Sequence, residues 1–429
     1  MSPIVFAPVL VFACTAACVA AAPIRFEKRQ LTERYYCDGV AAADINRDGA
    51  IDVIAGPFWY PGPAFTTAHE FYPAEPLPPE KSPSNSMYSF VHDFSGDGWP
   101  DILVLGRVHL HPACWYENPG PALETAPDRH WVKHFAFERI RGESPTLVDL
   151  DGDGRPQLIC HWDNRWGWVE PDPADPRAPW AFHPVSDPAD SGTEEWPQFY
   201  HGQGVGDVNG DGRLDLLLNH GWYEQPAPVA SRTGSASANW TFHRGQFSTD
   251  RGGAQMFADD VDADGDADVI TAINAHGYGL AWFEQLSAAD VDSPGDVIRI
   301  GEGRFRRHDL MGDGKAESRF GVCFSQPHAL EYADLDGDGR RDIIVGKRMW
   351  AHGPKGDVEP EAAPVVYWFR HHRREDGSVT FTPHLIDDQS GVGVQITVAD
   401  LNADARPDLL TASKLGVFLF LNHPAEPSP

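Results

Sequence analysis

The chain has 429 residues and a formal net charge of −29 at pH 7, with 63 acidic side chains against 34 basic ones. A surface of that sign excludes nucleic acid as partner, because a phosphate backbone demands clustered Lys and Arg. The 41 Gly, 37 Pro and 14 Trp suit many short strands joined by tight turns, and the length exceeds one ordinary core but suits an array of repeated units.

Residues 4–22 are apolar and rich in small side chains, and the first Arg is Arg25. The stretch reads as an export signal with its cleavage region at 20–22, which places the mature protein outside the cell or in a periplasm. Cys14 or Cys18 as a lipid-anchored first residue is the alternative reading, and Phe12 and Thr15 fit it poorly. No other stretch is long and apolar enough to cross a bilayer. Export permits disulfides, and Cys37, Cys114, Cys160 and Cys323 leave all three pairings open.

From residue 24 onward the chain reads as strands. The run at 24–31 is a candidate strand with no partner nearby in sequence. Seven acidic loops follow, starting 49 to 74 residues apart. Their candidate ligands are Asp44, Asn46, Asp48 and Asp52, then Asp93, Ser95, Asp97 and Asp101, then Asp149, Asp151 and Asp153. The later ones are Asp207, Asn209, Asp211 and Asp215, then Asp260, Asp262, Asp264 and Asp268, then Asp334, Asp336, Asp338 and Asp342, and last Asp400, Asn402, Asp404 and Asp408. Oxygen ligands at alternating positions, a glycine for the sharp turn and a closing carboxylate describe a loop that wraps Ca²⁺. Gln157 in the third loop and Ala405 in the seventh depart from this pattern and mark the two sites expected to be weak or empty. A similar stretch at 309–317 has no apolar strand after it and reads as a chance match.

Each unit carries four strand signals: a short run ending in the acidic loop, an apolar run such as 214–218, a Trp-aromatic-acid run such as Trp222–Glu224, and a run with an aromatic residue three positions before a His. Four strands per unit is the content of a propeller blade. After the seventh loop only two strand-like runs remain, and the strand at 24–31 can supply the missing one. The expected fold is therefore all-β: a single seven-bladed β-propeller over residues 23–429, closed by an N-terminal strand in the last blade. Insertions around 286–321 and 351–378 are expected to build over one face. The loops and the strands after them resemble FG-GAP/VCBS-type repeats, and that resemblance implies the same calcium-bearing propeller.

Because the first strand of each blade lines the central channel, its start opens on the face opposite the acidic loops. Six residues before each loop stand Asp38, Met87, Glu143, His201, Ala254, His328 and Val394. Two histidines and two carboxylates are not what repeat symmetry supplies. Imidazole and carboxylate are the ligand set of a catalytic Zn²⁺ or another divalent transition ion, so Glu143, His201 and His328, with Asp38, are the candidate channel ligands. Polar residues lining a wet channel mouth are the plain alternative. The loops between second and third strands face the same way and bring His109, His111, His161, His220, His276, Tyr278, Lys347, Arg348, Trp350 and His352. The outer-strand histidines His134, His183, His243, His308 and His384 read as structural.

The segments Gln326–Ala329, Lys347–His352 and 365–369 resemble the propeller module of aldos-2-ulose dehydratase-type enzymes. That resemblance implies a metal-held keto-sugar losing water by β-elimination. His352 or His276 would take the proton, Tyr278 or Lys347 would return one to the leaving oxygen, and Arg348 would add donors. The functional expectation is an exported metal-dependent carbohydrate lyase or dehydratase acting on keto-sugars or related saccharides. A non-catalytic calcium-stabilised propeller that binds glycans or proteins, and a metal-dependent hydrolase, are the alternatives. The partner expected is a small saccharide, and the oligomeric state is left open.

Overall fold

The computed structural model describes residues 24–81, 83–106, 111–186, 200–227, 240–249, 252–287, 297–300, 303–315 and 318–425. The expected export signal lies outside these residues. Strands dominate; the helical element among the described residues is one short turn, Gly120–Glu124. No described helix is long and apolar enough to cross a membrane.

Each repeat folds as the four strand signals imply, with sequential antiparallel neighbours. The first sheet runs Val40–Ala43, Asp52–Ala55, Phe58–Tyr60 and His69–Glu70. The sheets starting at Tyr88, Arg141 and Pro327 repeat that order. In the last sheet Ile396–Ala399, Asp408–Ser413 and Gly416–Pro424 are joined by the N-terminal strand Ile24–Thr32, antiparallel to Gly416–Pro424 from Ile24↔Pro424 to Thr32↔Val417.

These are five four-stranded blades. In place of two further separate blades the structure has one curled nine-stranded sheet. It forms because the inner strands Gln203–Gly206 and Met256–Asp259 pair in parallel, Gly204↔Met256 and Val205↔Phe257. Glycine allows that approach: a Cβ on Gly204 would stand 1.8 Å from the Met256 carbonyl oxygen. The ninth strand, Val297–Ile300, pairs with Gly303–Met311 and comes from the insertion expected at 286–321.

The acidic loops are held by their own carboxylates. Asp334 accepts the backbone N–H groups of Gly337, Asp338 and Gly339. Ala405 makes the Gly339-like bond to Asp400 at 2.9 Å with φ 63°, so the seventh loop keeps the turn at the steric cost of a Cβ. The closing residue is buried and bridges two segments. Asp268 accepts N–H groups from Val261 (3.0 Å) and Gln285 (2.7 Å), and Asp342 accepts from Leu335 (3.2 Å) and His371 (2.8 Å). Burial pushes these carboxyls up, Asp268 to about 9 and Asp342 to about 8. Gln157 does part of the same work, its side-chain oxygen accepting the Leu150 N–H at 2.7 Å.

The outer strands carry a cross-strand triad. His134, His243 and His308 lie opposite Trp115, Trp222 and Trp282 and stack on them with ring centroids 4.2, 4.1 and 4.3 Å apart. Each also bonds the acid two residues after its Trp, as His243 does Glu224 at 2.8 Å. Toward the centre, a glutamine ties the starts of three inner strands together. Gln255 donates to the Val394 carbonyl (2.8 Å) and accepts from the Leu330 N–H (3.0 Å). The inner strands surround a cavity of about 210 Å³ lined by Tyr88, Thr146, Val205, Met256, Leu330 and Ile396 among others.

Candidate metal centre

The ring positions start from strand entry points that bond one another. The Asp38 N–H meets the Ser86 carbonyl, Val394 donates to the Asp38 carbonyl, and Glu143 donates to the Tyr200 carbonyl. Tyr88 caps the Glu143 carbonyl through its hydroxyl. These bonds tie the entry points of Asp38, Glu143 and Val394 to neighbouring units. Met87, Ala254 and Val394 are buried apolar spacers, and the chemistry concentrates on Asp38, Glu143, His201 and His328.

His201 and His328 are 0 % exposed and are joined by His276, from the loop after strand Asp268–Ala272. The ligand nitrogens of His201, His276 and His328 all lie within 4.8 Å of one another, with His201 Nε2 3.2 Å from His276 Nε2. Glu143 Oε2 stands 3.8 Å from His201 Nε2 and 4.0 Å from His328 Nε2. Burial drives the His328 imidazole well toward its neutral form, and the charges of Arg348, His201 and His276 add to this.

Arg348 fills the middle of the ring and is itself buried. Its Nη1 lies 3.3 Å from Glu143 Oε2 and 3.1 Å from His328 Nε2, and its Nη2 lies 3.3 Å from Asp38 Oδ1. Burial disfavours its charge, but Asp38 and Glu143 more than offset that. Asp38 also accepts from the Tyr35 hydroxyl (2.7 Å) and from Ser84 through both N–H (2.9 Å) and hydroxyl (2.8 Å). Of the four expected channel ligands, Asp38 is thus the one engaged by the guanidinium and two hydroxyls, and the histidine cluster forms beside it.

His276 and His352, read from the sequence as bases, meet at a residue that reading missed. Asp357 Oδ1 is 2.7 Å from His352 Nδ1 and 3.4 Å from His276 Nδ1, and Oδ2 accepts the His352 N–H at 2.7 Å. Burial alone would raise the Asp357 carboxyl; its bonds to His276 and His352 instead hold it well below the usual carboxylate range. In return the Asp357 bond raises the proton affinity of His352. The signal was an acid in the Gly-rich turn five residues after His352, inside an insertion whose path no periodicity describes.

Lys347 is buried, donates to Ser325 Oγ at 2.7 Å, and is pushed down to about 8 by burial against the charges of Glu359 and Asp357. Tyr278, bonded to Glu359, is pushed up to about 12, chiefly by burial. Lys414, also missed, sits in the corresponding turn of the last sheet, buried, 5.7 Å from the centre of the Tyr35 ring and likewise pushed to about 8 by burial.

Other histidines of this face take no part in the cluster. His161 is buried edge-on to Trp166 and pushed to about 3 by burial, His220 lies beside Tyr200, and His111 lines a separate cavity with His130 and Lys133. His109 lies outside the described residues. Cys37, Cys114, Cys160 and Cys323 are free thiols, so none of the three pairings forms here. Among the acidic loops, Asp149, Asp151 and Asp153, then Asp260, Asp262 and Asp264, then Asp334, Asp336 and Asp342 bring carboxylate oxygens within 4.8 Å of one another. The third loop, expected to be weak, is one of these.

The FG-GAP-like repeat family matches residues 82–160 and 334–411. No curated protein matches the chain. Among solved structures it is similar to an Agrocybe aegerita lectin that recognises non-reducing terminal N-acetylglucosamine, at 15% identity over 88% of this chain and 85% of that one, with a TM-score of 0.40. It is also similar to the exotype rhamnogalacturonan lyase YesX, at 14% identity over 89% and 71% with a TM-score of 0.43. A Bacillus licheniformis rhamnogalacturonan lyase matches at 12% identity over 89% and 70%, with a TM-score of 0.41. The chain is an all-β, propeller-like protein that carries FG-GAP-like repeats.

Proposed function

We propose that this chain is an exported lyase that removes water from keto-sugars or related saccharides, with one divalent transition ion on His201, His276 and His328. The observation that carries the reading is the 3.2 Å separation of His201 Nε2 and His276 Nε2 in a three-histidine cluster whose other member, His328, is fully buried. Two nitrogens each about 2.0–2.1 Å from a tetrahedral zinc stand roughly 3.3 Å apart, so the pair fits. Burial keeps His328 neutral, the form a ligand needs. Glu143 is near enough to complete the set. The fold that goes with this is a closed ring of seven units, with the nine-stranded sheet counted as two and Ca²⁺ in the acidic loops.

A bound ion there supplies Lewis acidity toward a carbonyl oxygen. With His276 in the ligand cluster, proton removal falls to His352, which Asp357 makes the stronger base. In the elimination a C–H bond and the neighbouring C–O bond break, a C=C bond forms, and water leaves. His352 holds the proton taken from carbon. Lys347, pushed to about 8 by burial, is the donor to the departing oxygen.

One contact favours the non-catalytic binding reading. The Arg348 N–H points at the His328 Nε2 lone pair, and an ion on that nitrogen must displace it. Metal analysis with a substrate test separates the two. Zn, Mn or Fe retained beyond Ca²⁺, lost in His201→Ala and His328→Ala, together with an enone absorbance on incubation with keto-sugars, is the expected result. Ca²⁺ alone and no enone would sink the lyase reading.

A further inference from the structure

We propose that the cavity next to the buried histidines is a second divalent-cation site, built from His276 Nδ1, His352 and Asp357, so that His276 joins two ions through its two ring nitrogens. The inference rests on the metal-bound reading of the inner cluster and adds a position to it; a filled outer site takes His352 as a ligand, so it competes with proton removal by that residue. The geometry has three parts. His276, His352 and Asp357 offer ligand atoms within 4.8 Å of one another, as the inner histidines do, and His276 belongs to both groups. Asp357 Oδ1 to His276 Nδ1 is 3.4 Å, close to the ligand–ligand separation of a tetrahedral site with bonds of about 2.0–2.1 Å. His276, His352 and Asp357, with Gly356 and Val358, line a cavity of about 280 Å³.

Accessibility divides the work. His201 and His328 are 0 % exposed and the His276 side chain 19 %, so an ion among the inner nitrogens is reached only from the His276 side. In the outer group the His352 side chain is 58% exposed while Asp357 is 2%. The outer site is therefore the one more open to exchange with solvent. The donors also choose the ion: two imidazoles and one carboxylate suit Zn²⁺, Co²⁺ or Cu²⁺ better than Ca²⁺, which takes an all-oxygen shell. With both ring nitrogens ligated, His276 gives up its N–H proton to solvent. The ion at Asp357 likewise replaces the proton that the His352–Asp357 bond now holds. The two ions would stand about 6 Å apart, the span of one imidazole plus two metal–nitrogen bonds.

The test titrates full-length, chelator-treated protein, with excess Ca²⁺ present to saturate the acidic loops. Co²⁺ uptake is followed by visible absorption and elemental analysis, and Cu²⁺ loading by electron paramagnetic resonance. Two equivalents are expected in the wild type, one in His352→Ala and in Asp357→Asn, and none in His276→Ala. In the doubly Cu²⁺-loaded protein, coupling through the shared ring should suppress the isolated-ion signal, and Asp357→Asn should restore it. Circular dichroism and melting checks that each variant is folded; His352→Ala changes an exposed side chain and guards against a folding artefact in Asp357→Asn. One equivalent that survives both outer variants but is lost in His201→Ala overturns the second site and leaves the proposed function standing. Two equivalents unchanged by both outer variants also overturn it. No uptake at all overturns both.

Discussion

Arg348 Nη1 lies 3.3 Å from Glu143 Oε2, and the two residues are buried in the same ring although 205 positions apart in the chain. With Asp38 on its other nitrogen, the guanidinium neutralises two carboxylates that would otherwise face each other across the channel mouth. Removing one partner of a buried ion pair strands the other charge, at a cost of about 3–5 kcal/mol. Arg348→Met should therefore lower the unfolding free energy by about that much, measured by urea denaturation in chelator. Adding Asp38→Asn should recover part of the loss. A loss below about 1 kcal/mol would mean that water already screens the ring.

Arg348 also competes with a cation for the same surroundings. Once Arg348→Met has removed the positive charge, Asp38 and Glu143 should draw a divalent ion more strongly and His328 Nε2 should be free of its N–H partner. Co²⁺ affinity of the inner site should rise at least tenfold in Arg348→Met, read by competition with a chromophoric chelator. Unchanged or weaker affinity would show that the guanidinium helps the site rather than occupying it.

The closing residue of each acidic loop makes a separate prediction. Asp268 joins the loop to the end of the third strand through two buried hydrogen bonds. Burial pushes the Asp268 carboxyl up to about 9, so at neutral pH its bonds count as neutral ones of roughly 0.5–1.5 kcal/mol each, and Asp268→Ala should cost about 1–3 kcal/mol. Asp268→Asn should cost less, because its amide oxygen can still accept one N–H, as Gln157 does from Leu150. Hydrogen exchange at the Val261 and Gln285 amides is the readout: both should accelerate in the Ala variant and one in the Asn variant. Equal acceleration of both amides in the two variants would remove the clip from the account.

These loops also show what can be read from sequence. The turn from Asp334 to Gly339 is written within six residues, because the first carboxylate bonds the N–H groups of the glycines that follow it. Counting back along a regular strand then reaches Glu143, His201 and His328, since strand register carries over from one unit to the next. What lies between units does not follow that rule. The fused nine-stranded sheet depends on how closely Gly204 meets Met256, and Asp357 reaches His276 only because an insertion folds back over the mouth. As a metal ligand Gln157 departs from the repeat; as a hydrogen-bond acceptor for Leu150 it is a fair substitute.

The outer triads predict a stability effect with no effect on the mouth. His243 stacks on Trp222 at 4.1 Å and bonds Glu224 at 2.8 Å, on the edge farthest from the channel. Cross-strand aromatic and hydrogen-bonded pairs contribute about 0.2–1 kcal/mol each, so His243→Ala should cost about 1 kcal/mol. Co²⁺ stoichiometry should be unchanged. Loss of an equivalent in this variant would tie the outer histidines to metal binding and contradict their structural role.

Glu331 fixes the sign of one pH effect. It lies in strand Pro327–Ala333, lines the central cavity, and accepts the Tyr332 N–H at 3.0 Å. Burial pushes its carboxyl from 4.5 up to about 7, against the pull of the Tyr332 N–H and Arg341. A carboxyl with a raised folded-state value favours the native state in its protonated form. Its contribution is complete below about 4.5 and is lost as the pH rises through about 7. Glu331 is only partly buried and solvent screens its charge, so the effect should be on the order of 1–2 kcal/mol rather than the full linkage value. Glu331→Gln has no proton to lose. Relative to wild type it should melt higher at pH 8 and at nearly the same temperature at pH 4.5, with Ca²⁺ held constant. Comparing the two proteins at each pH cancels the titration of Asp268, Asp342 and the other buried loop carboxyls, which both share. An advantage of equal size at both pH values would assign it to packing, and would place the Glu331 carboxyl well below 7 in the folded protein.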